Sequence, residues 1–321
     1  MKKVLIIALA LLIFLMGCAG AANDPAPAPQ PPEEAPQTEP LASLTFATMP
    51  ALDTFPIFIA RDLGFFEDEG LTVHLEQFFS PRDRDIAFQA SNDIDGMSFS
   101  VVELAIYQEA GVDLVATTST IGRAGVIAAE GINTIEDLQG QSVALLSGTV
   151  MDYILDRALA SVGLSMYDVY VYEVPALPTR LEMLLHGQVS AAMLPEPFVT
   201  IAQAQGLNVV ATTTDLGVNP FILTFRREVT QDRHQELQAF YRAVNRAVDF
   251  LNTADREQFI DTLIETVGYP EHLRDILVMP TFPRYAVPEP GVLQGALDFS
   301  YSRGLITQQI AAPDIIFDIG S

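Results

Sequence analysis

The apolar positions between Leu44 and Arg303 alternate between two spacings, and that alternation predicts the fold class. In the stretch from Pro56 to Val73, PIFIARDLGFFEDEGLTV, residues Ile57, Ala60 and Leu63 keep helical spacing. Leu71, Val73 and Leu75 then alternate as in a strand. Pro56 suits a first helical position, where its missing N–H has no partner to lose. Asp53 and Thr54 before it are N-cap types. Gly64 can end the helix in the left-handed conformation, and Gly70 turns the chain. Phe65 and Phe66 are expected in the core. A short strand from Leu44 to Phe46 precedes the helix, whose N-terminus is thus aimed at the loop 49–55. Such an end offers free N–H groups and the positive end of the helix dipole.

The same rhythm continues. Strands are predicted over 96–99, 114–119, 142–146, 169–173, 191–194, 209–212 and 221–225. Helices are predicted over 81–90, 101–109, 150–162 and 177–187, after Pro197, and over 234–251, 257–266 and 292–303. Strands alternating with helices make an α/β protein with mostly parallel sheets and helices on both faces. In such sheets ligands sit beyond the carboxyl ends of the strands. The polar turns at Asp53, Ser80 to Arg82, Ser98 to Ser100, Ser147 to Thr149 and Glu196 all fall at strand-to-helix junctions. Spread over two sub-domains, they predict one cleft.

Composition narrows the partners. The 321 residues carry a formal charge of −24, and lysine occurs only at Lys2 and Lys3. Such a chain repels phosphate backbones, which excludes nucleic acid as a partner, and it lacks a basic patch for anionic lipid. Met1-Lys2-Lys3 followed by the apolar run 4–14 reads as a signal peptide, too short to span a membrane. Cys18 is the single cysteine, so the body has no disulfide. Leu15-Met16-Gly17-Cys18 resembles a bacterial lipobox, which implies cleavage before Cys18 and a diacylglyceryl anchor on its thiol. The Pro-rich segment 19–40 reads as an extended tether. His74, His186, His234 and His272 are scattered without metal-ligand spacing, so no metal site is expected. No Ser–His–acid order and no glycine-rich phosphate loop stands out, and no cofactor is expected.

The series Pro56, Ala60, Gly64, Phe65, Phe66, Gly70, Leu71 and Val73 after a strand resembles the substrate-binding proteins of ABC importers of the sulfonate, nitrate and thiamine-precursor type. Asp93-Ile94-Asp95-Gly96, Asp137-Leu138-Gln139-Gly140, Ser147-Gly148-Thr149, Gly187 to Ala192 and Glu196-Pro197 carry the resemblance further, from about Leu44 to Arg226. It implies a two-lobed periplasmic-binding-protein fold of type II: signal peptide 1–17, lipidated Cys18 and tether 18–42, lobe I from 43–124 and 223–321, and lobe II over 125–222. The hinge would lie near 121–128 and 219–225, with Gly122 and Gly125 absorbing the dihedral change. A small molecule would bind between the lobes, and the closed form would deliver it to a membrane permease with its ATPase. The protein would act outside the cytoplasm, held at the cell membrane by Cys18, and would not be an enzyme.

Within that family the chain is most similar to riboflavin-binding lipoproteins, then to binders of a thiamine pyrimidine precursor. An aliphatic sulfonate or nitrate is the alternative ligand, and a pyrimidine-synthesis enzyme of the same fold the lesser one. A planar heteroaromatic ligand needs aromatic faces and in-plane polar groups. Phe55, Phe99, Tyr153, Phe198 and Phe221 are the candidate faces, with no tryptophan anywhere in the chain. Asp53, Ser98, Ser119, Ser147, Thr149, Asp152, Glu196 and Asn219 are the candidate polar contacts. Ser147-Gly148-Thr149 exposes N–H groups at a helix start, and Arg82 opens another helix; an oxyanion would use these two starts. Each has a plainer reading: Asp53 as a helix cap, Arg82 as a solvated side chain, Tyr153 as core, Asn219 as hinge geometry, and Arg123 as half of a surface ion pair.

Overall fold

The structure is a computed structural model and describes residues 41–320. The signal peptide, Cys18 and most of the tether lie outside the described residues. Ten strands form two five-stranded sheets among the described residues. The first contains β1 (Leu44–Thr48), β2 (Val73–Gln77), β3 (Gly96–Ser100), β4 (Leu114–Ser119) and the late strand β10 (Phe221–Arg226), in the order β2-β1-β3-β10-β4. The second contains β5 (Ala124–Ala128), β6 (Ser142–Leu145), β7 (Tyr170–Glu173), β8 (Ala191–Pro195) and β9 (Asn208–Thr212), in the order β7-β6-β8-β5-β9.

Each sheet is mixed, where the sequence predicted mostly parallel pairing. β1 pairs in parallel with β2 and β3, while β10 runs antiparallel to both β3 and β4. β6 pairs in parallel with β7 and β8, while β5 runs antiparallel to β8 and β9. One strand per sheet is therefore reversed, and in each case it is the strand that arrives from the other sheet. β5 follows β4 through residues 120–123, and β10 follows β9 through residues 213–220. Both crossovers consequently join the carboxyl-end rims of the two sheets. The loops after β1, β3, β6 and β8 rise from these same rims.

The stretch 121–128, where the hinge was expected, holds the end of the first crossover and then β5, a strand the sequence reading missed. Ala124–Ala128 is wholly buried and paired on both sides. A strand covered on both faces reads as an unbroken apolar run without alternation, which hides it. Gly125 lies inside β5. A Cβ there would stand 2.4 Å from the Ala211 carbonyl oxygen, so glycine lets β9 approach. At Gly122 a Cβ would meet the Phe221 ring at 2.2 Å.

Helices cover the sheets: α1 (Phe55–Asp62), α2 (Phe65–Asp68), α3 (Pro81–Ala90), α4 (Val101–Glu109), α5 (Val150–Ser161), α6 (Leu177–Leu185), α7 (Phe198–Ala204), α8 (Arg227–Asp232), α9 (His234–Thr253), α10 (Ile260–Leu263), α11 (Pro290–Ser302) and α12 (Ala312–Ile315). The expected helix over 257–266 breaks into a 3₁₀ turn, α10 and a π turn at Ile264–Gly268. In α9, Leu237, Phe240, Val244, Val248 and Leu251 recur at helical spacing on one buried face. That face packs on α1 and α2. Phe66 is core at 1% exposure, whereas Phe65 stays half-buried with the Arg246 guanidinium 4.4 Å from its ring centroid. A second apolar cluster joins α4, α5 and α11 across the two sheets.

Candidate functional site

The rim of the first sheet begins at α1. Thr54 is its N-cap, but its hydroxyl donates back to the carbonyls of Met49 at 2.8 Å and Ala51 at 3.1 Å and caps no helical N–H. Asp53 turns the other way: its Oδ2 accepts from the Thr120 hydroxyl at 2.6 Å. Its backbone carbonyl accepts from the Tyr285 hydroxyl at 3.0 Å. Asp53 thus ties the start of α1 to the first crossover. Burial raises the pKa of this carboxyl, opposed first by the Thr120 hydrogen bond.

A carboxyl whose folded-state pKa lies above its unfolded value holds its proton longer when folded. Its contribution to stability is therefore fully present below the unfolded carboxyl pKa of about 4 and is lost as pH rises through the folded-state pKa. Compared with Asp53→Asn, the wild-type protein is expected to lose stability as pH rises from about 4 toward neutrality, so the substitution flattens part of the slope. Thermal melts across this range check it; parallel slopes for both proteins would sink the assignment.

On β3, the Ser98 hydroxyl accepts from the Met49 N–H at 3.3 Å and lies 3.4 Å from the Thr48 hydroxyl. The Ser98 carbonyl accepts from Arg84 Nη1 at 2.7 Å, and the same guanidinium sits 4.8 Å from the Phe99 ring centroid. Phe99 turns its edge toward Tyr107 at 5.0 Å and is 5% exposed. Ser119 and Asn219 line a cleft of about 480 Å³ beside both crossovers, bounded also by Thr213 and Val287. The Asn219 Oδ1 is buried without a hydrogen-bond partner.

The rim of the second sheet carries the turn into α5. Gly148 has φ 72°, the left-handed conformation that folds the turn tightly. The sequence predicted free N–H groups here; the structure fills three of them with carboxylates. Ser147 N–H donates to Glu173 Oε2 at 3.0 Å, Gly148 N–H to Asp152 Oδ2 at 2.9 Å, and Val150 N–H to Glu103 Oε1 at 3.4 Å. The Thr149 hydroxyl donates to the Leu146 carbonyl at 2.7 Å. Glu103 is carried by α4 of the first sheet, so this last bond links the two rims directly. At the end of β8, Glu196 accepts from Arg123 and from Thr200 N–H at 3.2 Å. It also accepts from the Thr200 hydroxyl at 3.0 Å and the Tyr269 hydroxyl at 3.4 Å.

Asp53, Ser98, Phe99, Ser119 and Asn219 thus gather on one rim, and Ser147, Gly148, Thr149 and Glu196 on the other. Three expectations are corrected. Phe55 is fully buried against Phe259, because the first turn of α1 faces the core. Arg82 is exposed; the arginine that reaches the rim is Arg84, two residues along α3 and only 6% exposed. Tyr153 is 3% exposed, with its ring 5.4 Å from Phe299 of α11 at a steep angle, as the plainer core reading expects.

Glu103, Glu173 and Thr120 escaped sequence reasoning. The one signal was Ser100-x-x-Glu103, a capping-box pattern. Ser100 does accept from the Glu103 N–H at 3.4 Å, but the Glu103 carboxylate reaches α5 instead of its own cap. Among the described residues no group of three or more His, Cys, Asp or Glu could hold a metal ion, and no helix is long and apolar enough to cross a membrane.

The two-sheet arrangement has known counterparts. The periplasmic aliphatic sulphonate binding protein SsuA from Escherichia coli superposes with a TM-score of 0.73 at 21% identity, covering 85% of this chain and 97% of that one. The periplasmic nitrate-binding protein NrtA from Synechocystis PCC 6803 gives 0.68 at 16% identity, covering 86% and 85%. These matches establish the periplasmic-binding-protein fold. A Brucella abortus relative named as a binding protein is 28% identical over 141 residues, which are 42% of this chain. The chain spans only 44% of the length of that relative. The profile of the NMT1-like family matches residues 37–266, more than half of the sequence, and the chain belongs to that family.

Proposed function

We propose that this chain is the solute-capturing component of an ABC importer, and that it binds a small nitrogen heteroaromatic nutrient between two lobes, at 43–124 with 223–321 and at 125–222. The reading rests on the facing rims. Loops from the carboxyl ends of both sheets meet across two short crossovers, and Glu103 already bonds from one rim to the other. A ligand touching both rims favours the closed arrangement by its differential contacts. In the same reading Cys18 carries the lipid anchor and the closed form docks on a permease with its ATPase.

The ligand class follows from what lines the rims. SsuA and NrtA are named for sulphonate and nitrate, yet here the amides of Ser147, Gly148 and Val150 already face carboxylates. An oxyanion brought there meets Glu103, Asp152 and Glu173 at close range, which is electrostatically unfavourable. A heterocycle with N–H donors finds acceptors instead. Phe198 and Phe221 are the candidate rings that remain half-buried for stacking. Riboflavin and a thiamine pyrimidine precursor both satisfy this description.

Calorimetric titration of the full-length chain with riboflavin, 4-aminopyrimidine, taurine and nitrate tests it, together with hydrogen exchange at 120–123 and 213–220. A heteroaromatic is expected to bind and to protect both crossovers, while taurine and nitrate do not bind. Binding of taurine or nitrate alone reverses the ligand class. Binding that leaves the crossovers unprotected removes the two-lobe capture.

A further inference from the structure

We infer that Glu103 and Asp152 form a donor-selecting subsite at the start of α5, made for a ligand presenting an amidine edge or an ammonium group. The inference deepens the import reading above and rests on it. The two side chains come from different parts of the chain but converge on one turn: Glu103 Oε1 accepts from Val150 N–H at 3.4 Å, and Asp152 Oδ2 from Gly148 N–H at 2.9 Å. Each has a second oxygen, Glu103 Oε2 and Asp152 Oδ1, that is buried and has no hydrogen-bond partner. The Asp152 side chain is 2% exposed. Buried carboxylate oxygens without donors are rare in folded proteins because each forfeits its hydration.

The cations of the chain itself do not fill the gap. Arg303 Nη2 is 3.8 Å from Asp152 Oδ2, the oxygen that already has a donor, and its guanidinium lies 5.9 Å from the Phe299 ring centroid. Arg84 directs Nη1 to the Ser98 carbonyl and Nε and Nη2 to Asp85. The positive end of the α5 dipole helps hold two carboxylates near one turn, but it supplies no donor to their outer oxygens. Burial also raises the Glu103 pKa, a cost that a bound cation would relieve.

Protonated on its ring nitrogen, an amidine edge presents two N–H donors in the fork that a carboxylate accepts, and an ammonium presents three. A ring without such donors leaves both oxygens unpaired, and a sulfonate or nitrate adds repulsion. The subsite therefore favours the aminopyrimidine alternative over a flavin.

The test uses the full-length chain with four probes: 4-aminopyrimidine, unsubstituted pyrimidine, putrescine and taurine. Calorimetry is expected to show 4-aminopyrimidine or putrescine binding at least tenfold tighter than pyrimidine, with the pair separating an amidine requirement from a simple ammonium one. Glu103→Gln and Asp152→Asn are each expected to weaken that ligand at least tenfold. The ligand-free Glu103→Gln protein, which keeps the acceptor for Val150 N–H, is expected to melt no lower than wild type because it loses an unpaired buried charge; a carboxylate held there for stability alone would make Glu103→Gln melt lower. Glu103→Asp, which keeps the charge and shortens the arm, gives the same loss of binding. Equal affinity for pyrimidine and 4-aminopyrimidine, tighter binding of taurine, or no binding by any probe overturns the subsite. Taurine binding with protected crossovers overturns it while leaving solute capture intact. Tight 4-aminopyrimidine binding with unprotected crossovers keeps the subsite and removes the two-lobe capture.

Discussion

Phe240→Ala is expected to lower the free energy of unfolding by about 3–5 kcal/mol, among the largest effects of any single truncation in this protein. The ring is fully buried and enclosed by aromatic neighbours from four elements. Phe66 of α2 stacks on it at 5.3 Å, Phe46 of β1 tilts toward it at 5.4 Å, and Phe225 of β10 meets it edge-on at 5.6 Å. Tyr241, its neighbour on α9, meets it edge-on at 5.3 Å. Strands β1 and β10 are locked in one sheet, so they cannot collapse into the space an alanine leaves. Cavity and transfer terms should both appear in full. Phe79, which is 81% exposed, is the matched control, and Phe79→Ala should change stability by less than about 0.5 kcal/mol. Urea denaturation of both variants decides the matter; a loss below about 1 kcal/mol for Phe240→Ala would mean that the cluster rearranges around the gap.

The same cluster shows why much of the fold could be read from the chain. Leu237, Phe240, Val244 and Leu251 announce the buried face of α9 by spacing alone, and Gly64 and Gly70 mark turns by their positive φ of 71° each. Boundaries such as Val101–Glu109 and Leu114–Ser119 follow from a helix start at Ser100 and a stop at Gly111. β5 escaped because Ala-Gly-Val-Ile-Ala has no periodicity when both faces are covered. The site was less legible for a different reason. Spacing tells that Phe55, Phe99 and Tyr153 each belong to an apolar face, but not whether that face meets core or cleft. Glu103 pairs with Val150 at a separation of 47 residues, and Asp53 with Thr120 at 67, distances over which local patterning carries no information. The resemblance to import proteins supplied the two-sheet frame, and the carboxylates on which the proposed ligand class rests became visible only in three dimensions.

Glu196 was expected as a polar contact to the ligand, and its geometry argues for positioning instead. Oε1 accepts from Arg123 and the Thr200 hydroxyl, and Oε2 from Thr200 N–H and the Tyr269 hydroxyl. Four donors match the four acceptor sites of an ionised carboxylate, which leaves none for a solute. Those donors come from the first crossover, the start of α7 and the chain just after the π turn, so one side chain ties the rim of the second sheet to elements packed on the first. Burial, and then the Glu196 charge, push the Tyr269 hydroxyl pKa well above its ordinary value, which keeps that hydroxyl a donor at any physiological pH. Glu196→Ala removes the common acceptor and strands Tyr269, which is only 6% exposed, along with half-buried Arg123. The expected cost is about 1–3 kcal/mol, seen as a lower melting temperature and faster hydrogen exchange at 120–123. Glu196→Gln keeps an acceptor oxygen and the shape, so it should bind ligand within about threefold of wild type, less than 1.4 kcal/mol by the tenfold conversion. A tenfold loss of affinity in Glu196→Gln at unchanged melting temperature would return Glu196 to the ligand and leave the rims to be tied together by Glu103 and the crossovers alone.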